Sequence, residues 1–295
     1  MTDNARAAGF LLISSGVFTL MELFAKQLIA FEQMSPIQVL WMRSVFTLVA
    51  LPIMLRTSPY HLARTRHVAK QAARSMCLVI AGLAFFFSLY EVPLADAVTI
   101  VFVSPLFVTA IAALILKEMV GIRRWSACAV GFVGALLIIQ PGMEDRHWMY
   151  FLPLVDAAMS AIYVILTRMV GRDDSWGTSL FYSVAAMAFL GTFALPWVWV
   201  WPDTNQWLLL LGISVIGLIA HQFHIRAFSL GEASLLAPLS YVHIIFTTIA
   251  AFVVFGTLPD EIAMVGVVMI VTAGLYVLHR ERKVRNRTTP PKSTH

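Results

Sequence analysis

Residues 95–113, ADAVTIVFVSPLFVTAIAA, lie over residues 233–251, ASLLAPLSYVHIIFTTIAA, without a gap when the chain is shifted by 138 positions. The two share Ala95, Thr109, Ile111, Ala112 and Ala113. Each is an apolar run, and a helix needs roughly 20 such residues to cross about 30 Å of hydrocarbon. Working outward, apolar stretches of this kind recur at 8–30, 36–56, 74–92, 96–116, 124–141, 148–168, 176–200, 206–228, 233–255 and 261–279. Hydrophobic residues make up 59% of the chain and charged ones 13%, against roughly 25% charge in soluble domains. The bilayer is therefore the expected solvent.

The match between 95–113 and 233–251 extends to other landmarks. The same offset, with small loop shifts, brings Gly134 near Gly274 and the Leu-Pro pair at 51–52 near that at 195–196. Five helices per half is an odd number, so the second half enters the membrane upside down relative to the first. The expected fold is an all-α membrane protein whose ten transmembrane helices form two inverted five-helix repeats, 1–143 and 144–280, followed by a basic, disordered tail at 281–295. Inverted repeats are a signature of secondary transporters, with the solute site near the midplane where the halves meet.

Charge gives the orientation. With ten crossings, all but three of the 21 Lys and Arg fall on the side of the termini, among them Arg56, Arg64, Arg66, Lys70 and Arg74, Lys117, Arg123 and Arg124, Arg168 and Arg172, Arg226 and the tail. Arg146 falls opposite, and Lys26 and Arg43 lie within helices. The positive-inside rule then puts both termini in the cytoplasm. The net charge of +5 reports this topology, so no nucleic-acid partner is expected. The first helix contains Glu22 and Lys26 without a small-residue cleavage pattern, so it is expected to be retained. Trp148, Trp197, Trp199, Trp201 and Trp207 mark one interface, with Trp125 and Trp176 at the other. Cys77 and Cys128 sit near the cytoplasmic side, where thiols stay reduced, and no disulfide or metal framework follows.

LILKEMVGIRRWSACAVGFVGALLIIQPG, with LLAPLSYVHIIFTTIAAFVVFGTLPDEIAMVGVVMIVTAGLYVL in the second half, resembles the EamA-type members of the drug/metabolite transporter superfamily. The likeness rests on PLADA at 93–97, Pro105, Glu118, Gly131 with Gly134, and FGTLP at 255–259; the second half departs with Gly256 opposite Glu118 and His243 opposite Pro105. The resemblance implies an inner-membrane carrier of a small organic solute (an amino acid, vitamin or nucleoside-like molecule) working by alternating access. It leaves the solute and the direction open.

Ionisable groups in hydrocarbon cost about 2.5–3.5 kcal/mol each on insertion scales and face a bundle interior or wet cavity. Glu22 in the first helix and Arg43 in the second fall at a similar depth, about 10–12 Å below the surface at 1.5 Å per residue, and Asp156 comes to a similar depth. Lys26 lies one turn from Glu22, at the spacing of an ion pair. Either these groups neutralise one another and lock two helices, or they line a solute path, where the planar fork of Arg43 suits a carboxylate or phosphate. Tyr182 is the inverted counterpart of Arg43, and Tyr241 and His243 fall near the midplane. The solute pathway is thus assigned to Glu22, Trp41, Arg43, Asp156, Tyr182, Tyr241 and His243. His221 and His224, at i and i+3, lack a third ligand for a metal. Gly131, Gly134, Gly266 and Gly274 are read as packing positions, and Pro105 and Pro238 as interruptions of the fourth and ninth helices.

HExxH, GxSxG, P-loop and dinucleotide fingerprints are absent from the sequence, so neither an enzyme nor a cofactor is expected; a passive channel and an intramembrane enzyme remain the alternatives. The expected partners are a small-molecule substrate and membrane lipid, and the apolar outer faces suit a monomer or a homodimer.

Overall fold

A computed structural model describes residues 3–115, 121–143, 147–170, 174–231, 236 and 238–288. Lys117, Glu118, Glu144, Asp145, Arg146, Arg172, Lys292 and residues 289–295 lie outside the described residues, as do the side chains of Arg168, Trp176 and 280–288.

The elements follow the apolar runs. Helix α1 (Asp3–Lys26) continues through a π-helical turn at Gln27–Phe31. Then come α2 (Pro36–Leu55), the short α3 (Pro59–Ala63), α4 (Val68–Ser88), α5 (Leu94–Val101), α6 (Ser104–Ile115) and α7 (Ile122–Ile139). A 3-10 turn at Trp148–Phe151 leads into α8 (Leu152–Val170), followed by α9 (Trp176–Val198), α10 (Thr204–Leu230), α11 (Val242–Phe255) and α12 (Glu261–Thr288).

Local chemistry sets the ends. Pro36 opens α2, where its missing N–H is no loss in a first turn. Ser175 Oγ accepts from Thr178 N at 3.1 Å to start α9. At α10, Asp203 Oδ1 accepts from Gln206 N at 2.8 Å while Gln206 Oε1 accepts from Asp203 N at 3.1 Å, a capping box. Gly256, with φ at 68°, closes α11 in the left-handed region that costs glycine least.

Among the described residues, nine helical segments are long and apolar enough to cross a membrane, and Val242–Phe255 is a shorter apolar one. The protein is a multi-pass membrane protein. Two of the ten expected spans are broken. The fourth divides at Phe102–Val103, between α5 and α6, and the ninth turns at Ser240–Tyr241 before α11. Both turns are tightened by i to i+3 bonds, with Leu106 N on Val103 O at 2.9 Å and His243 N on Ser240 O at 3.0 Å. The first break precedes Pro105, which has no N–H to give the preceding turn. The second follows Pro238, so the proline marks the interruption without being its centre. The tail also differs from expectation, since α12 runs as helix past Arg280 to Thr288.

Helix α1 packs antiparallel on α10, with Ser14 Oγ donating to Ala220 O at 3.0 Å and the Phe10 and Phe223 rings 5.9 Å apart. Helix α4 packs on α8 and α9, α2 on α9 and α10, α6 on α8, and α11 on α1 and α5. Helices α7 and α12 meet at Gly134 and Gly266, where a Cβ on Gly134 would lie 2.8 Å from the Gly266 carbonyl. A central core of Leu28, Ile29, Leu89, Ile100, Val103 and Leu106 is fully buried, while Trp197 and Val253 are 82% and 75% exposed on the outside, as lipid-facing side chains are.

Candidate functional site

Glu22, one turn before the C-terminal end of α1, meets α11. Its Oε2 lies 3.2 Å from His243 Nε2 and 3.3 Å from Thr247 Oγ1, and Thr247 Oγ1 is in turn 3.2 Å from Thr19 Oγ1. A carboxylate 8% exposed is held by an imidazole and a hydroxyl, which lowers the cost of burying it. The Phe18 ring, one turn before Glu22, stands 6.3 Å from the His243 ring, 5.0 Å from His221 and 6.0 Å from His224.

Two cavities meet at this pair. One, of about 720 Å³, is lined by Phe18, Glu22, Phe102, Ser240 and His243 and extends to Leu11, Phe228 and Leu278, at the end of the bundle where α1 begins and α10 ends. The other, of about 310 Å³, shares Phe18, Glu22, Phe102 and His243 and adds Phe85, Phe86 and Asp156. Phe102 belongs to the break between α5 and α6, and Ser240 to the turn before α11, so the interrupted helices supply the walls. The site is aromatic, with two carboxylates; Asp156 Oδ1 accepts from Ser160 Oγ at 2.8 Å.

Side-chain hydrogen bonds cross-link the opposite end of the bundle. Lys26 Nζ donates to Leu89 O at 2.7 Å and to Val92 O at 3.0 Å, in the connection after α4. Gln38 and Val200 exchange two bonds, Nε2 to O at 2.7 Å and N to Oε1 at 3.1 Å. Tyr90 OH donates to Met34 O at 3.3 Å. Lys26 therefore does not pair with Glu22 as its spacing suggested: main-chain carbonyls satisfy it instead. Nor does Arg43 reach Glu22. Its Nη1 donates to Met21 Sδ at 3.4 Å, and its guanidinium lies 6.0 Å from the centre of the Phe86 ring.

Comparison with known proteins fits this architecture. The EamA-like transporter family model matches residues 6–140. A Rickettsia prowazekii S-adenosylmethionine uptake transporter is 27% identical over 73% of this chain and 76% of its own length. A Vibrio cholerae riboflavin transporter is 28% identical over 83% of each chain. The first half of the chain thus matches the EamA-like transporter family, in keeping with its resemblance to the drug/metabolite transporter superfamily. A Pseudomonas aeruginosa pseudopaline exporter, CntI, is 27% identical over 92% of this chain and 95% of its own, which carries the likeness through the second half. A crystal structure of another protein superposes with a TM-score of 0.63 at 15% identity, over 96% of this chain and 99% of that one, and shows the shared fold alone. Its many apolar helices and its bacterial relatives named as transporters point to a small-solute transporter of the inner membrane.

The remaining expected pathway residues sit apart from the central cavities. Trp41 Nε1 donates to Thr192 Oγ1 at 2.9 Å, and its ring covers Gly191 and meets Trp199 edge-on, docking α2 on α9. Tyr182 OH donates to Ala63 O at 2.8 Å, fixing the short α3 to α9. Tyr241 packs against Phe102, ring centres 5.1 Å apart, with its hydroxyl buried beside Gly274 and, among the described residues, without a hydrogen-bond partner. His221 Nδ1 bonds Gly217 O at 2.9 Å, and among the described residues no group of three His, Cys, Asp or Glu could hold a metal.

Arg74, which the sequence places among the charges on the cytoplasmic side, is 1% exposed in the first turns of α4. Its guanidinium donates to Gln71 Oε1 at 3.0 Å, Tyr163 OH at 2.9 Å, Ser183 Oγ at 3.0 Å and the Ser179 carbonyl, with the Tyr163 ring 4.9 Å away. Gln71, Arg74, Ser75 and Leu78 share one helical face, and that polar stripe is the signal that pointed inward.

Proposed function

We propose that this protein is a secondary transporter that carries a small organic solute past the Glu22–His243 pair by alternating access. The observation that carries the proposal is asymmetry. A cavity of about 720 Å³ reaches Glu22 and His243 from one end of the bundle, while hydrogen bonds from Lys26, Gln38 and Tyr90 close the other. Such an arrangement suits a carrier caught open to one side, since a channel would need both ends passable. The aromatic walls, Phe18, Phe85, Phe86 and Phe102, suit a solute with a planar or apolar body, and the carboxylates of Glu22 and Asp156 suit a cationic group on it. Relatives named for S-adenosylmethionine and riboflavin make these the first solutes to try.

The halves 1–143 and 144–280 act in this scheme as inverted repeats with both termini cytoplasmic. The helix pairings support it. Exchanging α1, α2, α4, α5–α6 and α7 with α8, α9, α10, α11 and α12 turns the α1–α10 contact into α8–α4, α4–α9 into α10–α2 and α6–α8 into α11–α1, while α2–α9 and α7–α12 map onto themselves. The breaks at 102–103 and 240–241 also stand at the offset of 138 that relates the two matched stretches. In this orientation the wide cavity opens to the cytoplasm.

The test is counterflow in proteoliposomes loaded with unlabelled S-adenosylmethionine, riboflavin or amino acids and challenged with the labelled solute. A carrier gives transient accumulation of label for one class, lost in Glu22→Gln. Accumulation of label that merely equilibrates, without overshoot and without saturation, would identify a channel and overturn the proposal.

A further inference from the structure

We infer that Arg43 forms an anion-accepting subsite beside the central cavity, filled by a compact oxyanion such as a carboxylate. The inference deepens the transport function just proposed, because it adds a second charged contact to the same solute path.

This bundle gives its other interior charges partners of their own. Glu22 is held by His243 and Thr247, Asp156 by Ser160, and Lys26 by two carbonyls. Arg74 shows how the fold satisfies a structural arginine, with five oxygen acceptors on Gln71, Tyr163, Thr167, Ser179 and Ser183. Arg43 is different. Among the described residues its guanidinium makes one hydrogen bond, to the Met21 thioether at 3.4 Å, and no ion pair. A thioether is a weak acceptor, and a guanidinium has five N–H donors. A guanidinium inside a membrane protein with four donors uncommitted and no counter-charge is costly unless something fills that role.

The space for it is present. Arg43, Ser44, Thr47, Ser183, Ser214 and His221 line a separate cavity of about 110 Å³ between α2, α4, α9 and α10. That is several times the roughly 10–15 Å³ of the same measure needed to hold one water, and it accommodates a carboxylate or phosphate head. Arg43 supplies a planar fork that pairs with such groups in two parallel bonds, and the serine and threonine hydroxyls surround it with further polar groups. The cavity shares Leu78 and Gly82 with the 310 Å³ cavity that contains Glu22 and Asp156. A solute lying across the two would meet carboxylates at one end and Arg43 at the other, which is the pattern that recognises a zwitterion.

The oxyanion has two possible sources, the solute itself or a free ion bound with it. Thermal melting of the purified full chain separates them, using S-adenosylmethionine, decarboxylated S-adenosylmethionine, acetate and inorganic phosphate as probes on wild type, Arg43→Gln, Arg43→Lys and Glu22→Gln. If the solute carries the anion, S-adenosylmethionine raises the melting temperature in wild type, its decarboxylated form binds about tenfold or more weakly, and Arg43→Gln binds the two alike. If a free ion fills the site, acetate or phosphate alone gives a shift that Arg43→Gln abolishes. Arg43→Lys retains part of either shift. Elution and melting of each variant without probes separate a folding defect from loss of the site. Shifts that persist unchanged in Arg43→Gln, or no shift of the wild type with any carboxylate- or phosphate-bearing probe, overturn the subsite. A shift lost in Glu22→Gln but kept in Arg43→Gln rejects the subsite while leaving the transport site intact.

Discussion

Replacing Arg74 by Met should destabilise the protein far more than the same change at Arg43. Arg74 donates to four oxygens within 3.0 Å, of which Gln71 Oε1, Tyr163 OH and Ser183 Oγ lie at 3.0, 2.9 and 3.0 Å, and to Thr167 Oγ1 at 3.5 Å, and it ties α4 to both α8 and α9. Side-chain hydrogen bonds within membrane proteins average about 0.6 kcal/mol, and those to charged groups reach about 1.5 kcal/mol or more. Four of them give about 2–6 kcal/mol, because Met fills the volume but leaves the acceptors bare. Gln71 would lose one end of its bridge to Asp174, where its Nε2 donates to Oδ2 at 2.8 Å. At about 2 °C per kcal/mol for a chain of this size, melting falls by about 4–12 °C. Arg43→Met surrenders one bond to a thioether and a ring contact at 6.0 Å, and should melt within about 2 °C of wild type. Both are read by fluorescence-detected size exclusion after heating in detergent. An Arg74→Met protein as stable as wild type, or an Arg43→Met protein that falls as far, would refute the distinction between a satisfied arginine and an open one.

Gly134→Ala should destabilise the α7–α12 crossing by about 1–3 kcal/mol, since its Cβ would press on the Gly266 carbonyl at 2.8 Å, whereas Gly9→Ala, with nothing within 4 Å of the added methyl, should be neutral or stabilising by up to about 1 kcal/mol in the same melting assay. Lys26→Met should free Leu89 O and Val92 O, and hydrogen exchange should rise in the segment between α4 and α5 while α7 and α12 stay protected. Thr247→Val removes a hydroxyl 3.3 Å from Glu22 and should weaken solute binding about threefold to tenfold without changing the melting temperature by more than about 2 °C.

Much of this fold is legible in the chain because lipid imposes one rule on every span: satisfy the backbone within the helix and cover it with apolar side chains. That rule exposes the ten segments, and prolines 105 and 238 flag the two that break. The exact breaks were not legible, because they depend on which carbonyls accept from which amides once α5 and α11 are packed. The site was legible by type and not by partner. Glu22 and His243 each stand out as ionisable groups in apolar helices, yet they are 221 residues apart and no local period links them. Lys26 and Glu22 have the spacing of an ion pair on a lone helix, but the π turn that follows Lys26 and the carbonyls at the end of α4 offer the ammonium a better home. The burial of Arg74 was not legible for the opposite reason: a charge near a helix start reads as interfacial until neighbouring helices are known to enclose it.

Lys26 grips the polypeptide itself. Its two acceptors are main-chain oxygens of residues 89 and 92, which every amino acid supplies, so the bonding asks nothing of the side chains at those positions. The chemical requirement for holding the segment between α4 and α5 to α1 falls on Lys26, and that segment is free to change its side chains wherever packing allows. A closure built in this way would let the rim drift in sequence, and with it the surface met by an approaching solute, without redesign of the closure.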